Sequence, residues 1–215
     1  MNSLLFRRAA LAVSAAVVLP LALTACSSDD SSKDSASGST SSASAPASTP
    51  ADDPMPMDKP FGPACSSVPK EGAGSFDGMA QDPVATAASN NKELSTLVAA
   101  VKQAGLVDTL NNAQNITVFA PTDDAFAKIP KADLDALLAD KAELTKVLTY
   151  HVVGEKLTPG QLEKGSFATL EKSKLTTAGS DTEYTVNDSS KVVCGNVPTA
   201  NATVYIVDTV LMPPK

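Results

Sequence analysis

The stretch Thr117-Val118-Phe119-Ala120-Pro121-Thr122-Asp123-Asp124-Ala125-Phe126 decides the fold. Its first part, taken from Asn115 to Ala120, is a short apolar run rich in β-branched and aromatic side chains, and it reads as a buried strand. Pro121 ends the run. Thr122 follows as a helix N-cap, because its hydroxyl can accept an N–H of the first turn that has no partner inside the helix. Asp123 and Asp124 then occupy that first turn, where carboxylates are favoured by the helix dipole. The pair is read as structural rather than as a catalytic or metal-binding couple. Ala125 and Phe126 return the chain to the core. A strand passing directly into a capped helix, apolar on both sides, belongs to a sheet with helices packed on it.

The neighbouring segments extend this pattern. Upstream, Gly72, Gly74 and Gly78 suggest a loop, and Asp82-Pro83 reads as an N-cap followed by proline in a first helical turn. Asn90-Asn91 interrupts. Leu94, Leu97, Val98 and Val101 then fall at i, i+3, i+4 and i+7 on one helix face, and Gly105 is a C-terminal stop. Downstream, Leu134, Leu137 and Leu138 mark another helix. Leu144, Val147 and Leu148 mark a third, which runs into Tyr150-His151-Val152-Val153. Residues 165–194 alternate β-like runs with Gly, Asn, Asp and Ser turn signals. Thr203–Leu211 is the strongest strand. Helices come first and strands later, so the fold class is α+β.

The N-terminal portion is of another kind. Arg7 and Arg8 precede an apolar stretch, Ala9–Leu23, and residues 1–25 read as a secretory signal. Leu23-Thr24-Ala25-Cys26 is a lipobox. The Cys26 thiol takes a diacylglycerol, cleavage makes Cys26 the new N-terminus, and its amine is open to acylation. This predicts a protein lipid-anchored to the extracellular face of the cell membrane, held by its acyl chains. An ordinary secretory peptide with an incidental cysteine is the alternative. Residues 27–60 are Ser, Ala, Thr, Asp and Pro, too poor in bulky apolar side chains to fold, and predict a disordered tether. Ser/Thr beside Pro is also a composition that accepts O-linked sugar. The folded domain is expected over 61–215.

Charge and composition exclude several classes. The chain carries a net charge of −7, and loss of Arg7 and Arg8 leaves 15 lysines against 24 acidic residues. That argues against nucleic acid, which calls for arginine forks and a basic patch. With no Trp and only three Tyr, an aromatic sugar-stacking platform is not expected. Of three cysteines, Cys26 is assigned to lipid. Cys65 and Cys194 remain, either as a disulfide in an exported chain or as two buried thiols.

Catalytic signals are few. His151 is the single histidine. No metal-ligand spacing surrounds it, so no metal site and no cofactor is expected. No Gly-x-Ser-x-Gly elbow and no phosphate loop occurs. The sequons at Asn115, Asn187 and Asn201 read as chance matches. His151 either closes a helix–strand junction with a hydrogen bond or forms, with Tyr150, a recognition surface. The spacing after Leu144 favours a structural His151 and a partly exposed Tyr150. Phe119 is expected in the core where the first strand meets the helices.

Three ordered motifs resemble the fasciclin, or FAS1, domain family. They are Thr117–Phe126, Tyr150-His151 and Ala202–Pro213. With the lipobox, the tether and the Cys65/Cys194 pair, the chain resembles surface antigens of the MPT83/MPT70 type from mycobacteria and related actinobacteria. The resemblance implies a single domain, a β-wedge or sandwich with helices packed against it. It also implies a non-enzymatic role in adhesion to a cell-surface or extracellular macromolecule. An interaction surface at Tyr150, His151, Leu148, Val152 and Val153 follows from the same resemblance. An envelope carrier of a small ligand or lipid is the competing function, and it requires an apolar cavity.

Overall fold

The computed structural model describes residues 59–214. The signal segment, Cys26 and the tether up to residue 58 lie outside the described residues.

A 3-10 turn at Pro63–Ser67 leads into α1 (Phe76–Gln81), α2 (Val84–Ser89), a second 3-10 turn at Lys92–Leu94, α3 (Ser95–Ala104) and α4 (Val107–Asn112). Strand β1 (Ile116–Pro121) follows, then α5 (Asp123–Ala127), α6 (Lys131–Ala139) and α7 (Lys141–Tyr150). The rest is mostly strand: β2 (Val152–Val153), the short α8 (Pro159–Leu162), β3 (Lys164–Ala168), β4 (Lys174–Ser180), β5 (Glu183–Val186), β6 (Ser190–Pro198) and β7 (Ala202–Val207). One seven-stranded sheet runs β2-β1-β7-β6-β5-β4-β3. β1 and β7 are parallel, with Phe119 opposite Tyr205, and the other neighbours are antiparallel. The two outer edges meet again: Val153 bridges Thr169, and the Leu170 N–H donates to the Val152 carbonyl at 2.8 Å. The sheet therefore curls into a nearly closed wedge, which leaves little strand edge exposed.

β1 and β7 are buried at every position. Central parallel strands covered on both faces read as continuous apolar runs, as these do. Their alternation divides the core in two. Ile116, Val118, Ala120, Ala202, Val204 and Ile206 pack against the helices. Phe119, Tyr205 and Val207 point the other way, into the wedge, with Leu157, Leu175 and Val186. This corrects the expected position of Phe119. It is core, fully buried, but on the face away from the helices, stacked on Tyr205 with ring centroids 5.7 Å apart.

Local signals explain most boundaries. Gly105 closes α3 with φ +75°, a conformation that costs glycine nothing. Thr122 accepts the Ala125 N–H at 3.1 Å and caps α5. Asn187 and Asp188 both take left-handed φ (49° and 56°) in the β5–β6 turn, the residue types that tolerate it best. Three expectations need correction. Asn115 lies before β1 in a left-handed conformation rather than inside the strand. The glycine-rich stretch contains α1, capped by Ser75, and Gly78 sits within that helix because a Cβ there would collide with the Gly72 carbonyl and the Ala73 backbone. Asp82 ends α1 instead of capping α2.

α2 is capped from far away. Its Val84 N–H donates to Asn201 Oδ1 at 2.8 Å, and Ala85 N–H donates to Asn111 Oδ1 at 3.0 Å. Asn201 Nδ2 donates in turn to the carbonyls of Leu110 (2.8 Å) and Ala113 (2.7 Å). One buried amide thus fastens α2, the end of α4 and the start of β7, and its burial leaves the Asn201 sequon closed to a glycan. Asp123 does similar work across elements. It accepts the Thr96 N–H at 2.7 Å and the Ser95 hydroxyl, so it caps α3 from α5. Partial burial raises its pKa, but these bonds outweigh that and hold the carboxyl below its ordinary value.

Candidate functional site

The Tyr150-His151 junction is assembled where α7 passes into β2. α7 delivers it: Asp140 caps the helix by accepting the Ala142 and Glu143 N–H groups at 2.9 and 3.1 Å, and the Leu144/Val147/Leu148 stripe is buried. The helix ends at Tyr150, and His151 turns the chain into β2, which pairs with β1 through Val152–Val118 and Val153–Thr117. Every residue expected to form an interaction surface is interior: Leu148 is 5% exposed, Tyr150, His151 and Val152 are 2%, and Val153 is 0%. The cause is the location of β2. Val152 faces the helix-side core and Val153 faces the wedge core, so neither face of the junction reaches solvent. Tyr150, expected to be partly exposed, is buried with them.

The polar atoms of the junction are fully employed. Tyr150 Oη donates to the Lys174 carbonyl at 3.1 Å and accepts from Asn187 Nδ2 at 2.8 Å. Asn187 Oδ1 also accepts the Thr176 N–H at 3.0 Å, so the β5–β6 turn is tied to both α7 and β4. His151 Nδ1 lies 2.8 Å from the Val147 carbonyl, to which it must donate. Nε2 then accepts the Leu211 N–H at 2.9 Å. These two bonds fix the neutral Nδ1–H tautomer. Burial pushes the His151 pKa down to about 4, against the opposing pull of the Val147 carbonyl. The His151 carbonyl accepts the Phe119 N–H at 2.8 Å. His151 therefore ties α7, β1 and the segment after β7 together. It has no unengaged nitrogen to act as a general base.

Nothing in the sequence marked Asn187 or Leu211 as partners of this junction. The first is 37 residues from Tyr150 and the second 60 from His151. The wedge interior continues the same style. Tyr205 Oη donates to the Leu157 carbonyl at 3.0 Å, and burial raises its pKa. Thr117 Oγ1 accepts the Leu157 N–H and donates to the Glu155 carbonyl, both at 2.8 Å. Among the described residues no group of three or more His, Cys, Asp or Glu side chains could hold a metal ion. No described helix is long and apolar enough to cross a membrane.

The sequence profile of the Fasciclin domain family matches residues 92–213, which contain the three motifs and the junction they build. The chain belongs to the fasciclin domain family. It is 51% identical over 148 residues to the cell surface glycolipoprotein MPT83 of Mycobacterium tuberculosis, covering 66% of this chain and 66% of that protein. The match thus spans a little less than two thirds of that relative's length. It is 47% identical over 161 residues to the immunogenic protein MPT70 of the same species, covering 71% of this chain and 82% of the relative. Protein sll1483 of Synechocystis is 42% identical over 129 residues, 59% of this chain and 71% of that protein. Among solved structures, the FAS1 domain pair of the insect cell adhesion molecule fasciclin I superposes with a TM-score of 0.52 at 19% identity, covering 63% of this chain and 52% of that one. That likeness is one of fold.

The fasciclin profile begins at Lys92, and the residues before it are held to the domain covalently. A disulfide joins Cys65 to Cys194 across 129 residues of sequence, with Cα atoms 4.9 Å apart. Phe61 and Gly195 exchange backbone hydrogen bonds of 3.1 and 2.7 Å beside it. The Phe61 ring rests 5.4 Å from Tyr184 and so closes one end of the wedge.

Proposed function

We propose that this chain is a lipid-anchored cell-surface protein whose fasciclin domain binds another macromolecule and performs no catalysis. One observation carries the reading. A chain with a lipobox at Cys26 is 51% identical to a protein described as a cell surface glycolipoprotein. Acylated Cys26 holds the membrane, residues 27–60 form the tether, and the domain is presented outside. The word glycolipoprotein for the relative also favours O-linked sugar on the Ser/Thr/Pro tether. The non-enzymatic reading is supported by the engagement of both His151 nitrogens.

With Leu148, Tyr150, His151, Val152 and Val153 buried, the recognition surface must be built by what lies over them. Leu170 and Met212 are the exposed large hydrophobic residues of the domain, at 40% and 51%. Leu170 donates its N–H to Val152, and Met212 follows Leu211, the donor to His151. The junction then works as a support, and Leu170 and Met212 supply the contact. The anchor is tested by intact-mass analysis of the protein from the membrane fraction, which should find lipid on Cys26, and by Cys26→Ala, which should abolish the acylation and disrupt processing of the signal segment. An unmodified Cys26 in the membrane fraction would refute it. The surface is tested by Leu170→Ser with Met212→Ser. Binding of the fluorescently labelled protein to intact cells should fall while the thermal midpoint stays put. Unchanged binding with unchanged stability would place the contact elsewhere.

A further inference from the structure

The helix-side core is not filled. A cavity of about 160 Å³ lies between α2, α3 and the helix-facing side of β1 and β7. Its walls are apolar, with Val84, Leu97, Val101, Val118, Val204 and Ile206 among them. Thr86, Ser89 and Lys102 also line it and are exposed, so it reaches the surface along α2 and α3. Cavities of about this size lined by aliphatic side chains stay dry and accept molecules as large as benzene.

One wall residue is out of keeping with the others. Asn91 is 6% exposed and lines the cavity. Its Oδ1 accepts the Glu93 N–H at 3.0 Å, which caps the turn before α3 and fixes which way round the amide lies. Nδ2 is consequently left as a buried donor with no partner. An unmet buried donor is costly, and native proteins keep few of them. His151 also lines the cavity, but both of its ring nitrogens are already engaged. A lone water would find only one orphan donor in an apolar chamber, short of the two to four partners that hold buried water.

We propose that this cavity is a binding site for a small neutral hydrocarbon ligand carrying one carbonyl acceptor, a short ketone or ester, whose oxygen takes the Asn91 Nδ2 hydrogen bond. The chamber is well below the roughly 300 Å³ at which drug-sized pockets begin, which excludes a whole diacyl lipid. A charged carboxylate inside the chamber beside Asn91 is excluded as well, since the one lysine of the lining, Lys102, is at the exposed mouth and the desolvation of an inner charge would go uncompensated. The site is independent of the surface reading above, because it lies on the helix side of the sheet and uses neither Leu170 nor Met212.

The test uses the full chain with 2-hexanone and hexane as probes, followed by the methyl resonances of Leu97, Val98, Val204 and Ile206. Both probes should shift these methyls saturably, the ketone at lower concentration. Asn91→Gly removes the amide donor and is well tolerated at an N-cap. It should weaken 2-hexanone roughly fivefold to tenfold, the size of one neutral hydrogen bond, and leave hexane no weaker. Ala88→Phe, placed on the cavity wall, should abolish both. Asn91→Asp, whose ionised carboxylate accepts the Glu93 N–H but donates nothing, serves as a second donor-less variant if the glycine variant proves unstable. The absence of saturable shifts with either probe overturns the site. Equal ketone affinity in wild type and both Asn91 variants overturns the role of Asn91.

Discussion

The two faces of β1 and β7 contrast sharply although they are made by the same twelve residues. Toward the helices stand Ile116, Val118, Ala120, Ala202, Val204 and Ile206, met by the alanine-rich faces of α2 and α3, and a cavity of about 160 Å³ remains. Toward the wedge interior stand Phe119, Tyr205 and Val207, met by other large side chains, with the Tyr150 and Tyr205 hydroxyls each bonded to a backbone carbonyl. Small side chains on helices leave room, because two stiff cylinders on a twisted sheet cannot follow its surface closely. Stacked aromatics with bonded hydroxyls fill space and fix direction at once. The wedge side is therefore the half closed by stacked rings, and the helix side is the half with space for a guest.

The largest test removes the covalent tie at the end of the wedge. Replacing Cys65 and Cys194 by serine reopens a loop of 129 residues, and chain entropy puts the loss at about 5 kcal/mol. Calorimetry on the oxidised and serine forms measures it, and a loss below about 1 kcal/mol would mean that Phe61 alone secures the incoming segment. Next, Phe119→Ala should cost roughly 3–5 kcal/mol, as for a fully buried aromatic in a well-packed site. A denaturant midpoint near wild type would contradict the dense packing assigned to the wedge.

His151→Ala comes third, at about 1–3 kcal/mol, because it strands the Leu211 N–H and the Val147 carbonyl. The same residue sets a pH dependence. Its folded pKa, about 4, lies below the ordinary 6.5, so between these values the unfolded chain binds the extra proton. The contribution is whole above pH 6.5 and is lost as pH falls toward 4, by up to roughly 1.4 kcal/mol per unit. Denaturation curves of wild type and His151→Gln at pH 7.5 and 4.5 should converge at the lower pH. Parallel curves would disprove the linkage.

The smallest effect is the most direct comparison. Val204 and Val207 lie on one strand, one lining the cavity and the other in the wedge. Val→Ala at 207 should cost about 1 kcal/mol more than at 204, since a side chain beside a void has fewer contacts to lose. Equal costs would mean that the cavity is closed up in solution.

Local chemistry determined a good deal of this protein in advance. Thr122 and Gly105 announce helix ends because capping involves only a few neighbouring residues. The uninterrupted apolar runs of β1 and β7 announce strands covered on both faces, and the Thr117–Phe126, Tyr150-His151 and Ala202–Pro213 motifs announce the family. The direction of each side chain was another matter. Strand periodicity states that Phe119 and Ala120 oppose each other, but not which of them meets the helices. Only the placement of both layers decided that Phe119 belongs to the wedge. The same holds for Tyr150 and His151: their partners Asn187, Lys174 and Leu211 lie 24 to 60 residues away, and no local spacing encodes such pairings. Asn201 looked like a sequon by sequence and is a buried three-way fastener in space. Asn91 looked like a helix breaker and is a wall of the cavity with an unspent donor. Capping, turns and periodicity are settled by neighbours along the chain, so the sequence by itself determines them. Burial, the satisfaction of long-range hydrogen bonds and the presence of a cavity depend on what the rest of the chain brings to the same place, and the tertiary structure alone decides them.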